Sequence, residues 1–209
     1  MEIKWFGHSS FEIKSGNKVI YLDPYLGEYE DAADIVLVSH GHFDHSNIKK
    51  LSPHISPDTK IIGSKNVAAE IGGKGLEEGQ SFDADGINIE AVASYNPNKQ
   101  FHPRGFGVGW VISTEGKKVY FAGDTDFIPE MSELKDIDVA LLPIGGTYTM
   151  SANDAVEAAK AIKPKIIIPM HYNTAGIEIE ADPFKFKEKV ENLTGAKVVV
   201  LRPNESHQI

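Results

Sequence analysis

Six consecutive residues, His40-Gly41-His42-Phe43-Asp44-His45, carry three imidazoles and one carboxylate. Neutral imidazole and carboxylate are good side-chain ligands for Zn²⁺, Mn²⁺ or Fe²⁺. His40 and His42 are two apart, so an extended stretch turns both toward one point. Asp44 and His45 come after a bend and can face a second point nearby. One short loop can thus serve two metals. The alternative is a surface loop that happens to be rich in histidine. Half of the chain's eight histidines stand at positions 40, 42, 45 and 54, and the run follows directly on the apolar segment Ile35–Val38. Both facts favour metal, because α/β proteins place their chemistry on loops at strand C-terminal ends.

Two more positions share that setting. Asp124 follows Val119-Tyr120-Phe121-Ala122, and Gly123 lets the backbone approach a site closely. A carboxylate has two oxygens and can bridge two cations. An ordinary turn Asp before Thr125 is the other reading. His171 follows Ile166-Ile167-Ile168-Pro169-Met170, where the other reading is a hydrogen-bonded core histidine. Lys99 and Arg104 flank His102 and can either orient a phosphate or carboxylate or simply solubilise a loop. The stretch Ile71-Gly72-Gly73-Lys74-Gly75 lacks the Walker pattern, and there is no Gly-x-Ser-x-Gly elbow.

Alternating strand-like and helix-like segments must hold these residues. Glu2–Phe6, Phe11–Lys14 and Val19–Leu22 read as an antiparallel meander, with Ser15-Gly16-Asn17-Lys18 as a turn. Ile35–Val38 is apolar on both faces, as a buried central strand is. Further strands are expected at Lys60–Ile62, Ile87–Ala93, Gly107–Ser113, Lys117–Ala122, Asp138–Leu142, Lys165–Ile168 and Lys197–Leu201. Helices are expected at Asn47–Leu51, Asn66–Ile71, Ala152–Ile162 and Pro183–Leu193. Ser151 with Asp154 predicts a capped start for the third, and Asp182 with Pro183 for the fourth. A weak echo joins the halves: each has several strands followed by a strand–loop–helix bearing His or Asp. The pattern predicts a layered α/β fold, sheets inside and helices outside.

The 209 residues suit one domain, 1–209, and 41% of them are hydrophobic. No apolar run reaches the roughly 18 residues of a membrane span, and no signal peptide is visible, so a cytoplasmic location is expected. With no cysteine, thiolate sites and disulfides are excluded, and any metal must be held by His and carboxylate. A net charge of -9 disfavours nucleic acid as a partner. A small-molecule substrate is expected, and a homo-oligomer is possible.

His-x-His-x-Asp-His after an apolar strand resembles the signature of the metallo-β-lactamase superfamily. Val19-Ile20-Tyr21-Leu22-Asp23-Pro24, Ala122-Gly123-Asp124-Thr125 and Pro169-Met170-His171-Tyr172 resemble its further motifs, in order. More narrowly, Trp5-Phe6-Gly7-His8-Ser9-Ser10 and Pro143-Ile144-Gly145-Gly146-Thr147-Tyr148-Thr149-Met150 resemble a branch of small hydrolases similar to the ascorbate-6-phosphate lactonase group. The resemblance implies a four-layer αβ/βα sandwich of two mixed sheets, with the site at one edge. It implies a metal set of His40, His42, Asp44, His45, Asp124 and His171. Family members place a further His just after the strand matching Ile87–Ala93, where this chain has Ser94-Tyr95-Asn96. Either His102 reaches in from the longer loop, which the reading favours, or that ligand is lost. Tyr95 then orients a substrate or an oxyanion. The resemblance also places His8 near the site, behind the ligands or against substrate, with structural packing on Trp5 or Phe6 as the alternative. Asp23 is expected to back a ligand histidine. His54 and His207 are expected at the surface.

The chemistry implied is a metal-dependent hydrolase with two divalent ions, zinc first, manganese or iron otherwise. Such a pair brings a bridging water toward ionisation near neutrality, and the hydroxide is expected to attack an ester, lactone or phosphodiester of a small substrate, anionic or neutral. Asp44, His8 and Tyr95 are the expected catalytic residues. A nuclease of the same superfamily, a di-iron redox protein and a non-catalytic scaffold are the competing readings.

Overall fold

The computed structural model describes residues 1–209. In chain order the strands are β1 (Glu2–Gly7), β2 (Ser10–Ser15), β3 (Lys18–Leu22), β4 (Ile35–Val38), β5 (Lys60–Ser64), β6 (Lys74–Leu76) and β7 (Ser81–Ala84). They continue as β8 (Ile87–Ser94), β9 (Gly107–Thr114), β10 (Lys117–Phe121), β11 (Val139–Pro143), β12 (Ile166–Met170), β13 (Lys197–Val198) and β14 (Glu205–Gln208). The α-helices are α1 (Lys65–Ile71), α2 (Ala152–Ile162) and α3 (Pro183–Leu193). Two 3₁₀ segments, Ile48–His54 and Pro129–Glu133, complete the set.

The strands form two seven-stranded mixed sheets, in the orders β14-β1-β2-β3-β4-β5-β6 and β13-β12-β11-β10-β9-β8-β7. In the first sheet β14 through β3 pair antiparallel, and β3 through β6 pair parallel. The second runs the same way: β7 through β10 antiparallel, β10 through β13 parallel. The echo between halves seen in the sequence is therefore a repeated topology. It extends to single bonds. Asp34 before β4 accepts Val19 N–H at 2.9 Å, and Asp138 before β11 accepts Lys118 N–H at 2.9 Å. A lysine completes each carboxylate, Lys18 in one half and Lys165 in the other.

Strand alternation explains the layering. Ile35 and Leu37 of β4 face the core of 46 buried residues between the sheets. Val36 and Val38 point the other way, into an outer cluster with Leu51 of a 3₁₀ segment and Val67 and Ile71 of α1. Helix α2 lies over β11 and against α3 on the far side. The result is the expected four-layer αβ/βα sandwich. Both predicted caps form: Ser151 and Asp154 make a capping box, and Asp182 accepts from Phe184 N–H and Lys185 N–H.

The structure also departs from the sequence reading. The helix expected at Asn47–Leu51 is a 3₁₀ segment at Ile48–His54 with Pro53 inside it. The strand expected at Lys197–Leu201 is only Lys197–Val198. Strands β6, β7 and β14 carry too little apolar alternation to be read. His207, expected at the surface, sits half-buried in β14, opposite Ile3.

Candidate metal centre

Every predicted metal ligand comes from one edge of the sandwich. The run follows β4, Asp124 follows β10, His171 follows β12, His102 lies in the loop between β8 and β9, and His8 turns β1 into β2. Two backbone bonds stitch the sheets together there: Val108 N–H to Ser39 O at 3.0 Å and His171 N–H to His8 O at 2.9 Å. Gly107 permits the first approach, because a Cβ there would stand 2.9 Å from His40 Cβ. His8, Asp23 and His171 all have left-handed backbones, at φ 53°, 41° and 55°. Such conformations cost roughly 1–3 kcal/mol each and gather at functional sites.

The run itself bends as its spacing suggested. His45 N–H and Ser46 N–H both return to His42 O, closing a turn after the extended His40–His42 stretch. His40 Nε2 lies 3.0 Å from His42 Nδ1, and His102 Nε2 lies 3.2 Å from that same nitrogen. A second group gathers His8, Asp44, His45 and His171. Asp124 stands between the two: its Oδ2 is 3.4 Å from His45 Nε2, 3.4 Å from His102 Nε2 and 3.0 Å from His171 Nε2.

Hydrogen bonds on the outer ring atoms fix which nitrogens face inward. Ser39 Oγ donates to Asp23 Oδ2 at 2.5 Å, so it accepts from His40 Nδ1–H at 2.9 Å. His45 Nδ1–H donates to the same Asp23 oxygen at 2.7 Å. One buried carboxylate thus orients two rings, with Ser39 N–H on its other oxygen. His102 Nδ1–H donates to Asn96 Oδ1 at 2.8 Å. In each of these three rings Nε2 is left with its lone pair toward the cluster, the arrangement found behind metal-bound histidines.

This donor set fits metal ions. His42 Nδ1 stands 3.0 and 3.2 Å from the facing nitrogens of His40 and His102, and the three lie within 4.8 Å of one another. Three imidazole nitrogens around one tetrahedral Zn²⁺ stand about 3.3 Å apart. Next to them, His45 Nε2 and Asp124 Oδ1 are buried without a hydrogen-bond partner, an arrangement that a cation would relieve.

The electrostatics agree. Burial pushes His40 well below the ordinary imidazole range and takes His8 and His102 down to about 4. These rings are neutral at neutral pH, as ligands must be. Burial also opposes charge on His45, but Asp124 and Asp23 outweigh it and hold this ring well above its usual value. Burial opposes charge on Asp124 too, yet His171 and His45 keep it well below the usual carboxylate range. A cation at this place would take over the role of the His45 proton. Neutral His8 donates from Nε2 to Asp44 Oδ2 at 3.1 Å and accepts at Nδ1 from the Thr174 hydroxyl at 3.0 Å. Burial raises the Asp44 pKa, but His8 and His45 bring it down to about 2.

Tyr95 is the one predicted residue that the fold does not bring in. Its hydroxyl donates to Glu130, and Arg104 lies over its ring, 5.0 Å from the centroid. It follows Ser94, whose buried side chain takes the inward direction, so the next side chain turns away. The two loop cations are also spoken for. Lys99 Nζ donates to Asp126, Gly146 O and Thr149 O, and Arg104 pairs with Glu78 and Glu130. Neither is free to meet an anion. Residues the sequence reading passed over are Ser39, Asn96 and Thr174, which orient His40, His102 and His8. Ser39 adjoins the run and was open to notice; Asn96 and Thr174 carry no signal of their own. A cavity of about 500 Å³ opens over the cluster, lined by His42, Asp44, His102, Asp124 and His171 and by a rim of other residues.

Comparison with known proteins now identifies the class. Residues 2–171 match the model of a β-lactamase superfamily domain. A UPF0173 metal-dependent hydrolase from Pyrobaculum islandicum is 34% identical over 231 residues, covering 100% of both chains. Another from Staphylothermus marinus is 38% identical, covering 98% of this chain and 97% of that one. The solved structure of Igni18, a metallo hydrolase from Ignicoccus hospitalis, superposes with a TM-score of 0.84 at 30% identity, covering 100% of this chain and 98% of that one. The chain belongs to the metallo-β-lactamase superfamily and, within it, to the UPF0173 metal-dependent hydrolases. It is a metal-dependent hydrolase.

Proposed function

We propose that residues 1–209 act as one domain holding two divalent ions, most readily zinc, and hydrolysing an ester, lactone or phosphodiester of a small molecule in the cytoplasm. His40, His42 and His102 would hold one ion, and Asp44, His45 and His171 the other, with Asp124 between them. The observation that carries this reading is Asp124 Oδ2, within 3.0–3.4 Å of imidazole nitrogens from three separate loops. A single-ion site needs no such shared oxygen.

Two such ions would supply Lewis acidity toward the oxygen under attack and would ease ionisation of the attacking water. The chain's own residues do the rest. Asp23 keeps the His40 and His45 rings in the tautomer that presents Nε2. His8 Nε2–H holds one oxygen of Asp44 in place. With Asp44 held ionised as a ligand, the proton given up by the attacking water passes to the leaving group. Tyr95 has no part in this scheme. The cavity size suits one small substrate.

Metal analysis with turnover is the test. Two ions per chain, with hydrolysis lost on chelation and regained on zinc or manganese, is the expected result. Two irons with a reversible optical change would replace this reading with a redox one. A salt-sensitive nuclease activity would move it to nucleic acid. No metal, and no stability lost to chelator, would leave a scaffold.

A further inference from the structure

The rim of the cavity over the metal centre is aromatic and carries no cation. Two of the chain's exposed large apolar side chains line it, Phe43 at 71% exposure and Phe101 at 45%. Tyr148 and Ile177 add to the same wall. Phe101 and Tyr148 meet edge to face at 4.8 Å, and Phe43 leans edge-on to Tyr25 at 5.8 Å. The two aromatic pairs come from separate loops. A lone exposed phenylalanine needs no explanation, but Phe43, Phe101, Tyr148 and Ile177 gathered around one opening mark a surface that binds something apolar.

The charges on the rim are equally one-sided. Glu178 is exposed and lines the cavity, and no lysine or arginine does. The nearby cations Lys99 and Arg104 are consumed by the partners described above. Phosphoryl-transfer sites surround the reacting group with cationic clamps beyond the metals, because its charge is spread over several oxygens. A carboxylic ester develops charge on one oxygen only. The lining therefore suits the ester and not the phosphate.

We infer that this cleft takes an uncharged carboxylic ester or lactone with an apolar arm, the arm lying between Phe43 and the Phe101–Tyr148 pair. The inference rests on the hydrolase reading above and narrows its substrate. Water adds its oxygen to the carbonyl carbon, and the acyl C–O bond breaks. The departing alkoxide takes one proton of that water, and the new acid ionises to a carboxylate. Glu178 repels that anion and favours its release.

The test uses the zinc-loaded full chain and p-nitrophenyl esters of lengthening acyl chain, beside bis(p-nitrophenyl) phosphate. Each added methylene should raise kcat/KM about fourfold until the cleft is full. Phe43→Ala and Phe101→Ala should flatten that gradient. Phe184→Ala, an exposed phenylalanine on α3, should leave it intact. Glu178→Lys should improve an anionic succinyl ester relative to the neutral ones. Binding of uncleavable N-phenyl alkanamides, measured by calorimetry, gives a second readout. A phosphodiester preferred over every neutral ester, or a flat chain-length series, would overturn the inference and leave the hydrolase standing. Amide binding that strengthens with chain length and weakens in Phe43→Ala, without cleavage of any ester, would keep the apolar cleft and sink the hydrolytic scheme.

Discussion

The two sheets repeat one pattern of strand pairing, yet they divide the chemistry unequally. The first sheet delivers His40, His42, Asp44 and His45 on one loop. The second delivers Asp124 and His171, and the hairpin loop before β9 adds His102, each from a different place. The contrast is sharpest at one register position. Asp23 N–H bonds Leu37 O in the first sheet, and Ala122 N–H bonds Leu141 O in the second. Asp23 and Ala122 thus occupy the same place. A carboxylate at that place sits behind the rings. Two residues later, past Gly123 with φ 65°, it becomes Asp124 in front of them. A shift of two residues converts an orienting group into one that faces the ions.

The comparison can be broken at that pair first. Asp124→Ala should cost on the order of a thousandfold or more in kcat/KM and lower the bound metal, read by steady-state kinetics and elemental analysis. Asp23→Ala should weaken metal affinity by about 100-fold, because two rings lose their anchor, whereas Asn96→Ala should cost nearer to about 10-fold. Competition with a chromophoric chelator measures both. Equal losses would mean that sharing Asp23 between two rings has no energetic meaning.

The glycines beside the two halves' ligands offer a smaller contrast. A Cβ at Gly145 would stand 2.3 Å from His171 O, against 2.9 Å from His40 Cβ at Gly107. Gly145→Ala should destabilise more than Gly107→Ala, both by about 1–3 kcal/mol in denaturant unfolding. The smallest effect belongs to the matched aspartates. Asp34→Asn and Asp138→Asn should each cost about 1 kcal/mol, since each carboxylate anchors one backbone N–H and one exposed or half-exposed lysine. Burial raises the Asp138 pKa, but Lys165 and the Lys118 N–H bring it below its ordinary value of 3.8. A lowered carboxylate stabilises the fold above its unfolded pKa and loses that contribution as pH falls through the folded one. The Asp138→Asn deficit should therefore be full at neutral pH and shrink as acid carries the pH below 3.8 and on through the lowered folded value.

The unequal division also explains what was legible in the sequence. His40 to His45 announce themselves because the ligands are contiguous and follow a strand apolar on both faces. Asp124 and His171 needed motif order, since one Asp or His at a strand end is common. His102 was legible only as a departure from a family pattern. Asn96 was hidden, because its role depends on a loop that folds back to bring His102 Nδ1 to it. Tyr95 misled for a different reason: it stands where a ligand is expected, but strand alternation at Ser94 turns it outward. In the fold, central strands were visible through their apolar runs. Glu205-Ser206-His207-Gln208 was not, because an edge strand held by backbone pairing needs no apolar face.

That last strand has a consequence for how the molecule comes into being. Its partner is β1, so residues far apart in sequence lie side by side, Glu2 opposite Gln208. The first sheet holds the whole histidine loop, yet it gains its outermost strand only after every ribosomal step through residue 208 is done. During synthesis the metal-rich loop is made early and its scaffold is finished late. A nascent chain stalled at residue 200 would already carry His40 through His171, with the β1 edge still bare.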